Sequence, residues 1–226
     1  VRISVVVLAF NEEEQLDQVV REIQSVLVEI GETFEVIILD DGSSDGTAAI
    51  ADSLDGELAG VRTIRHPENL GLGEAYRTGF REVRGEIVTF LPGDRQFSAD
   101  IIPLFLPHME TSDLVMSCVT EQNRSVFARA LSFAERVLYR LLFGPFPRFQ
   151  GVIMFRRKLL EELELKSTGR GWAILMELIV RATRGGYRSV SVVAEMHPRT
   201  SGKSKVVNLR TIWSNLAQTF ALLRHL

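Results

Sequence analysis

The stretch Glu35-Val36-Ile37-Ile38-Leu39-Asp40-Asp41-Gly42-Ser43-Ser44-Asp45-Gly46-Thr47 decides the fold of this chain. Four consecutive apolar residues, three of them β-branched, read as a buried strand of a parallel sheet. The strand runs into two adjacent carboxylates, then a Gly/Ser/Asp turn, then 47–51 with the character of a helix start. Ligands in open α/β sheets bind just outside the carboxyl ends of strands, where Asp40 and Asp41 fall. A helix cap would account for Asp45 or Ser44. Two carboxylates at one strand tip ask for more, and predict a ligand site.

Upstream, residues 2–10 read as a second buried strand. Asn11 follows as the expected N-cap, with Glu14 three positions on in capping-box fashion. Leu16, Val19, Val20, Ile23, Leu27 and Ile30 recur at helical spacing, predicting an amphipathic helix over 12–30 that Gly31 closes. The result is a β-α-β unit whose crossover should be right-handed. Neither strand-to-helix turn carries a Gly-x-Gly-x-x-Gly or a P-loop lysine, so the classical dinucleotide and P-loop readings fail.

Downstream, the pattern predicts a helix over 47–54, a strand over 61–64 and a loop at 66–69. A further helix should run from Gly71 to about Arg84. Glycines at 71, 73 and 79 permit close backbone approach. Residues 86–91 form another apolar run, whose tip is Pro92-Gly93-Asp94-Arg95-Gln96, again a carboxylate beside a glycine turn. Asp100 is the expected cap of a helix over 101–109, and 113–118 a further strand.

From Asn123 the character changes. Arg124, Arg129, Arg136, Arg140 and Arg148 are opposed only by Glu135 and alternate with apolar residues, predicting a basic amphipathic helix that ends at 144–147. A packed helix with a basic solvent face would read the same way. Arginine at every basic position favours phosphate recognition, which the guanidinium fork suits. A short strand at 151–155, a helix to 165 and a helix over 172–184 follow, then an edge strand over 187–193. Glu177 falls near the buried side of its helix and needs a partner. Residues 199–205 form a basic, hydroxyl-rich loop, and 206–226 an amphipathic helix that packs on the domain or lies in a membrane interface at Trp213.

The 226 residues suit one α/β domain over 1–205 plus the 206–226 helix. Residues 1–122 hold 8 Lys and Arg against 23 Asp and Glu, a net −15, while 123–226 hold 18 against 6, a net +12. That split points the second half at phosphates or an anionic membrane surface. Cys118 is the only cysteine, so no intrachain disulfide forms and a reducing compartment is expected. No run approaches the roughly 18 apolar residues of a membrane-spanning helix. Because the sequence opens on Val1, an anchor beyond it is an open expectation. The basic segment carries no recognisable DNA- or RNA-binding motif, so no nucleic-acid partner is expected.

Taken in order, these motifs resemble those of family 2 glycosyltransferases, and within them polyprenyl-phosphate sugar transferases of the dolichyl-phosphate mannose synthase type. The motifs are Val6-Val7-Leu8-Ala9-Phe10-Asn11-Glu12-Glu13, the 39–47 stretch, Asn69-Leu70-Gly71 with Ala75 and Gly79, and Gly93-Asp94-Arg95-Gln96. Gln150-Gly151 before Phe155-Arg156-Arg157, and Arg199 before Gly202-Lys203-Ser204, complete the set. The resemblance implies a single Rossmann-like GT-A domain with a mostly parallel sheet. Its donor would be a nucleotide sugar of the GDP-mannose or UDP-glucose type, with Mg²⁺ or Mn²⁺ as cofactor. Carried over, Ala9, Asn11, Glu13, Asp40, Asp41, Asn69, Gly71, Gly93, Asp94 and Lys203 would line the donor. Asp94 and Gln96 would meet the metal, offering the oxygens a hard cation prefers. Asp94, Arg124, Arg148 and Arg199 would carry the reaction.

Two departures from the family pattern matter. The acidic Asp-x-Asp motif reads Pro92-Gly93-Asp94, so its first carboxylate is missing and metal binding should be weaker. Where many relatives place an aspartate that activates a hydroxyl acceptor, this chain reads Pro147-Arg148-Phe149-Gln150. A hydroxyl needs a general base, whereas a monophosphate, with a second pKa of about 6, is already largely dianionic at neutral pH. A polyprenyl phosphate at the cytoplasmic membrane surface is therefore the expected acceptor, held by Arg124, Arg129, Arg148, Arg199 and Lys203. The alternatives are a hydroxyl acceptor with Glu177 or another acid as base, and a nucleotide-binding relative without catalysis.

Overall fold

A computed structural model describes residues 1–118, 137, 140–144 and 147–197 of the chain. Among these residues seven strands form one sheet: β1 (Ile3–Ala9), β2 (Phe34–Asp40), β3 (Val61–Arg65), β4 (Ile87–Pro92), β5 (Leu114–Cys118), β6 (Ile153–Arg156) and β7 (Ser189–Val193). Their order is β3-β2-β1-β4-β6-β5-β7. All neighbours run parallel except β6, which is antiparallel to both β4 and β5. The helices with both ends among the described residues are α1 (Leu16–Ile30), α2 (Thr47–Glu57), α3 (Leu72–Glu82), α4 (Ile101–Phe105), α5 (Lys158–Glu162) and α6 (Ala173–Arg184).

Alternation along the strands divides the core in two. Val5, Val7, Val36 and Ile38 face α1, α2 and α4, while Val6, Ile37, Leu39 and Val88 face α3 and α6. With both faces covered, the central strands read as continuous apolar runs and are 0–2 % exposed from Ile3 to Val7 and Val36 to Leu39. Fully burying each such side chain stabilises the fold by about 1.5–3 kcal/mol. Among the described residues no helix is long and apolar enough to cross a membrane.

Several expected elements shift. The first helix begins at Leu16, not residue 12, and Gln15 rather than Asn11 precedes it. Asn11 has φ 55° and turns its side chain to another loop. The helix expected over 101–109 is α only to Phe105 and then tightens to a 3₁₀ turn, Leu106–Glu110. Pro107 has no amide to continue the α ladder. Asp100 precedes α4 without a capping side-chain bond. The helix after β6 stops at Glu162 rather than 165. The expected edge strand is β7, at the sheet margin. Of the basic helix expected to end at 144–147, residues 137 and 140–143 are helical and Gly144, with φ 83°, follows them; the rest of that helix and the 206–226 helix lie outside the described residues.

Candidate active site

Register brings three strand ends level. Ala9 pairs with Asp40 and Leu8 with Pro92, so the loops after β1, β2 and β4 emerge side by side. The first two loops are stitched together. Asn11 N donates to Ser43 Oγ at 3.0 Å, Glu12 N to Thr47 Oγ1 at 2.8 Å, and Ser44 N to Asn11 Oδ1 at 2.8 Å. Gly46 N donates to Glu13 Oε2 at 2.6 Å, which sets a carboxylate at the start of α2, the favourable end of its dipole. Asn11 and Glu13 thus reach the strand-end edge, and Ala9 fixes Asp41 through its carbonyl, 2.9 Å from Asp41 N.

The two carboxylates at the β2 tip do not act as a pair. Adjacent residues of an extended chain point to opposite faces. Asp40 is fully buried, accepting from Arg65 Nε at 3.1 Å and Ser43 N at 3.0 Å, and so fastens the turn from inside. The expectation that Asp40 lines a ligand pocket is corrected accordingly. Asp41, 6 % exposed, gathers the loop before α3. Its Oδ1 meets His66 Nδ1 at 2.7 Å and Leu70 N at 3.0 Å, while Oδ2 accepts from Gly71 N at 2.9 Å and Asn69 Nδ2 at 3.1 Å. Asn69 and Gly71 are therefore brought to Asp41.

A strap from the second half closes over this loop. Arg77 donates to the carbonyls of Ser167, Thr168 and Gly169, and Gly73 N donates to the Arg170 carbonyl at 2.8 Å. Arg170 then reaches Asn69. Glu177 anchors the strap's other end. Its fully buried carboxylate accepts from Lys166 N, from Ser167 N at 2.7 Å and from Arg181 Nε at 2.7 Å. Burial pushes this carboxyl up, but the Lys166 amide, Arg181 and Ser167 together pull it below the ordinary carboxylate range. Glu177 has the partners its position demanded, and the alternative that made it a general base is corrected: no acceptor reaches it.

At the β4 tip, Gly93 N donates to the Leu8 carbonyl at 2.9 Å, holding the turn against β1. Asp94 is 6 % exposed and its Oδ1 accepts from Gln96 N at 3.1 Å. Arg95 takes a left-handed φ of 58°, uncommon for a side chain with a Cβ. It is held there by bonds to Gln18 and Glu22 of α1. Among the described residues no group of three or more His, Cys, Asp or Glu is placed to hold a metal. The donor set here is one carboxylate and one amide oxygen. That fits a hard cation that takes one or two protein ligands and fills its sphere with substrate phosphates and water.

Arg148 is exposed on the segment leading to β6, and its carbonyl accepts from Ser191 Oγ at 2.7 Å. Because β6 runs antiparallel to β4, this segment meets the same edge as Asp94. Gly151, φ 106°, lies under the Phe97 ring, where a Cβ would come within 2.2 Å. Arg124, Arg199 and Lys203 lie outside the described residues. Two residues were not singled out from the sequence. His66 reaches Asp41, and His197 N donates to the Gln96 carbonyl at 2.8 Å. Both precede proline in His-Pro pairs, His66 directly after β3 and His197 four residues after β7, the only sequence signal either gives. A cavity of about 410 Å³ lies behind the Asp94 turn, between α1 and residues 95–100, and is a different place from the strand-end edge.

Comparison with known proteins agrees with this architecture. Residues 4–164 match the model of glycosyl transferase family 2. The chain is 26 % identical over 234 residues to a dolichol-phosphate mannosyltransferase of Pyrococcus furiosus, covering 99 % of this chain and 64 % of that protein. It thus spans somewhat under two thirds of that relative's length. Among solved structures it is similar to glucosyl-3-phosphoglycerate synthase of Mycobacterium tuberculosis in complex with phosphoglyceric acid, with TM-score 0.71, 23 % identity, and 99 % and 80 % of the two chains covered. The same enzyme with Mn²⁺, uridine diphosphate and phosphoglyceric acid gives TM-score 0.71 at 24 % identity, over 96 % and 78 %. The α/β sheet with its one antiparallel insertion is the GT-A fold, and the chain belongs to glycosyl transferase family 2.

Proposed function

We propose that this chain moves a hexose from a nucleotide sugar to a polyprenyl phosphate at the cytoplasmic face of a membrane, with inversion at the sugar. The observation that carries the reading is the level set of strand ends, with Asp94 and Gln96 on one turn beside the stitched 10–13 and 41–46 loops. The base and ribose would lie along Ala9, Asn11, Glu13, Asp41, Asn69 and Gly71. Asp94 and Gln96, with Gly93 between them and β1, would hold Mg²⁺ or Mn²⁺ at the diphosphate. The solved relative with Mn²⁺ and uridine diphosphate supports this choice of cation. A cation held there would offset the charge developing on the departing diphosphate.

The acceptor phosphate oxygen attacks the anomeric carbon from the side opposite the diphosphate. A carbon–oxygen bond forms to the acceptor as the bond to the nucleoside diphosphate breaks, and the electron pair leaves with it. No base is required, in keeping with the burial of Glu177. Arg148, with Arg124, Arg199 and Lys203, would offset the meeting of two anions. The name of the Pyrococcus relative supports a lipid phosphate.

A second reading is a small phosphorylated acceptor that attacks through a hydroxyl, favoured by the glucosyl-3-phosphoglycerate synthase likeness. The assay supplies GDP-mannose or UDP-glucose and Mn²⁺, with either a short polyprenyl phosphate or 3-phosphoglycerate. A glycosyl phosphate, cleaved by mild acid, supports the first reading. A glycoside that survives such treatment overturns it.

A further inference from the structure

Behind the donor loop a buried line of hydrogen bonds ends on Asp41. His66 directly follows β3, its ring is buried, and its amide donates to the Asp40 carbonyl at 2.9 Å. Nδ1 lies 2.7 Å from Asp41 Oδ1, and Nε2 lies 2.9 Å from Thr78 Oγ1 on α3. Arg81 NH2 lies 3.0 Å from that same Thr78 oxygen and 3.1 Å from Glu74 Oε1.

Donor and acceptor rules fix the direction of this line. A carboxylate only accepts, so the ring nitrogen facing Asp41, Nδ1, carries the proton; a guanidinium only donates, so the Thr78 oxygen accepts from Arg81. In the neutral ring Nε2 then accepts, from the Thr78 hydroxyl. Every bond runs the same way: Arg81 to Thr78, Thr78 to His66, His66 to Asp41. The opposite tautomer would aim a lone pair at a buried anion.

The far side of Asp41 gives this line its consequence. The same carboxylate receives Leu70 N, Gly71 N and Asn69 Nδ2, the loop assigned above to the donor nucleotide. Asp41 sits at the end of β2, and without the ring only the loop itself would fix its rotamer. We propose that His66, held as the Nδ1–H tautomer between Asp41 and Thr78, is a positioning residue for the donor nucleotide, acting through Asp41 on the 69–71 loop. This role rests on the nucleotide-sugar reading above. His66 touches no reacting atom, so its effect falls on donor binding rather than on the chemical step.

The test uses the full chain and three variants: His66→Ala, His66→Asn and Thr78→Val. Binding of UDP and of GDP with Mn²⁺ is followed by calorimetry, and donor KM, acceptor KM and kcat are measured alongside. Imidazole nitrogen shifts are read by NMR on the wild type, which has only four histidines. The expected result is an Nδ1–H ring in the wild type and nucleotide binding weakened about tenfold in His66→Ala, the scale of one lost hydrogen bond to a charged group. His66→Asn, whose amide nitrogen replaces Nδ1, should recover most of this, and Thr78→Val should keep the Nδ1–H ring, because Asp41 still faces it, and weaken binding less than His66→Ala. Acceptor KM should stay unchanged.

An Nε2–H or doubly protonated ring in the wild type overturns the proposal. So does folded His66→Ala that binds as the wild type does, or His66→Asn no better than His66→Ala. Should His66→Ala fail to fold, the wild-type ring and Thr78→Val still decide. A wild type that binds neither nucleotide with Mn²⁺ sinks the functional reading and this role with it, whereas normal binding by His66→Ala sinks the role alone.

Discussion

Arg170 and Asn69, 101 residues apart, are joined twice: one guanidinium nitrogen donates to the Asn69 carbonyl at 2.7 Å and to its side-chain oxygen at 3.2 Å. Asn69 passes its amide nitrogen to Asp41, so its two side-chain ends are both assigned by their partners. A residue of the second half of the chain thereby holds the loop that the first half offers to the donor. Arg170→Ala should raise donor KM about three- to tenfold, the scale of one charge-assisted hydrogen bond at an exposed site. Steady-state kinetics against both substrates checks this. Since Arg170 is exposed, thermal stability should hardly change.

Gly73 is required by the same strap. A Cβ there would come 2.0 Å from the Gly169 carbonyl oxygen, a backbone atom with little freedom to yield. Gly73→Ala should cost about 1–3 kcal/mol of stability, read from the urea midpoint. Donor KM should rise with it, because the strap and the 69–71 loop move together.

Glu177 links stability to pH. Its folded-state pKa lies below the ordinary 4.5, because the hydrogen bonds outweigh burial. The carboxylate therefore stabilises the fold fully above about pH 4.5, and this contribution is lost as pH falls through the depressed folded value. Glu177→Gln should destabilise by about 2–4 kcal/mol at pH 7. The gap to wild type should narrow below pH 4.5, as denaturation curves at several pH values would record. At neutral pH the folded variant should keep kcat within about twofold, whereas loss of a general base costs about 10²-fold or more.

How much of this could be read from the sequence follows from the range of the forces involved. The strands at 34–40 and 87–92 and the close of α1 at Gly31 are written in local apolar pattern and a left-handed glycine, φ 76°. Asn11 looked like a helix cap because capping is local. Its partners Ser43 and Ser44 lie more than thirty residues away, and their bonds prevail. Asp40 and Asp41 looked like one unit, but the alternation of an extended chain sends them to different partners. The need of Glu177 for a partner was legible, yet backbone amides at 166 and 167 leave no mark in a residue pattern. The antiparallel β6 was also hidden, since the direction of a strand after a long excursion is set by the sheet it joins.

Asp94→Asn preserves the acceptor oxygen that caps Gln96 N but removes the charge. The fold should persist, while Mn²⁺-dependent donor binding should weaken and kcat/KM fall about 10²–10³-fold. Calorimetry with and without Mn²⁺ separates the two effects. In the variant, adding the cation should no longer tighten nucleotide binding.

The central claim is that the ends of β1, β2 and β4 hold the nucleotide sugar, and a crystal structure of the full chain soaked with donor and Mn²⁺ tests it most directly. The account predicts the base along residues 9–13 and 69–71, and the cation shared between Asp94 and the diphosphate oxygens. A nucleotide lodged in the cavity between α1 and residues 95–100, or elsewhere, with no cation at Asp94, would contradict it.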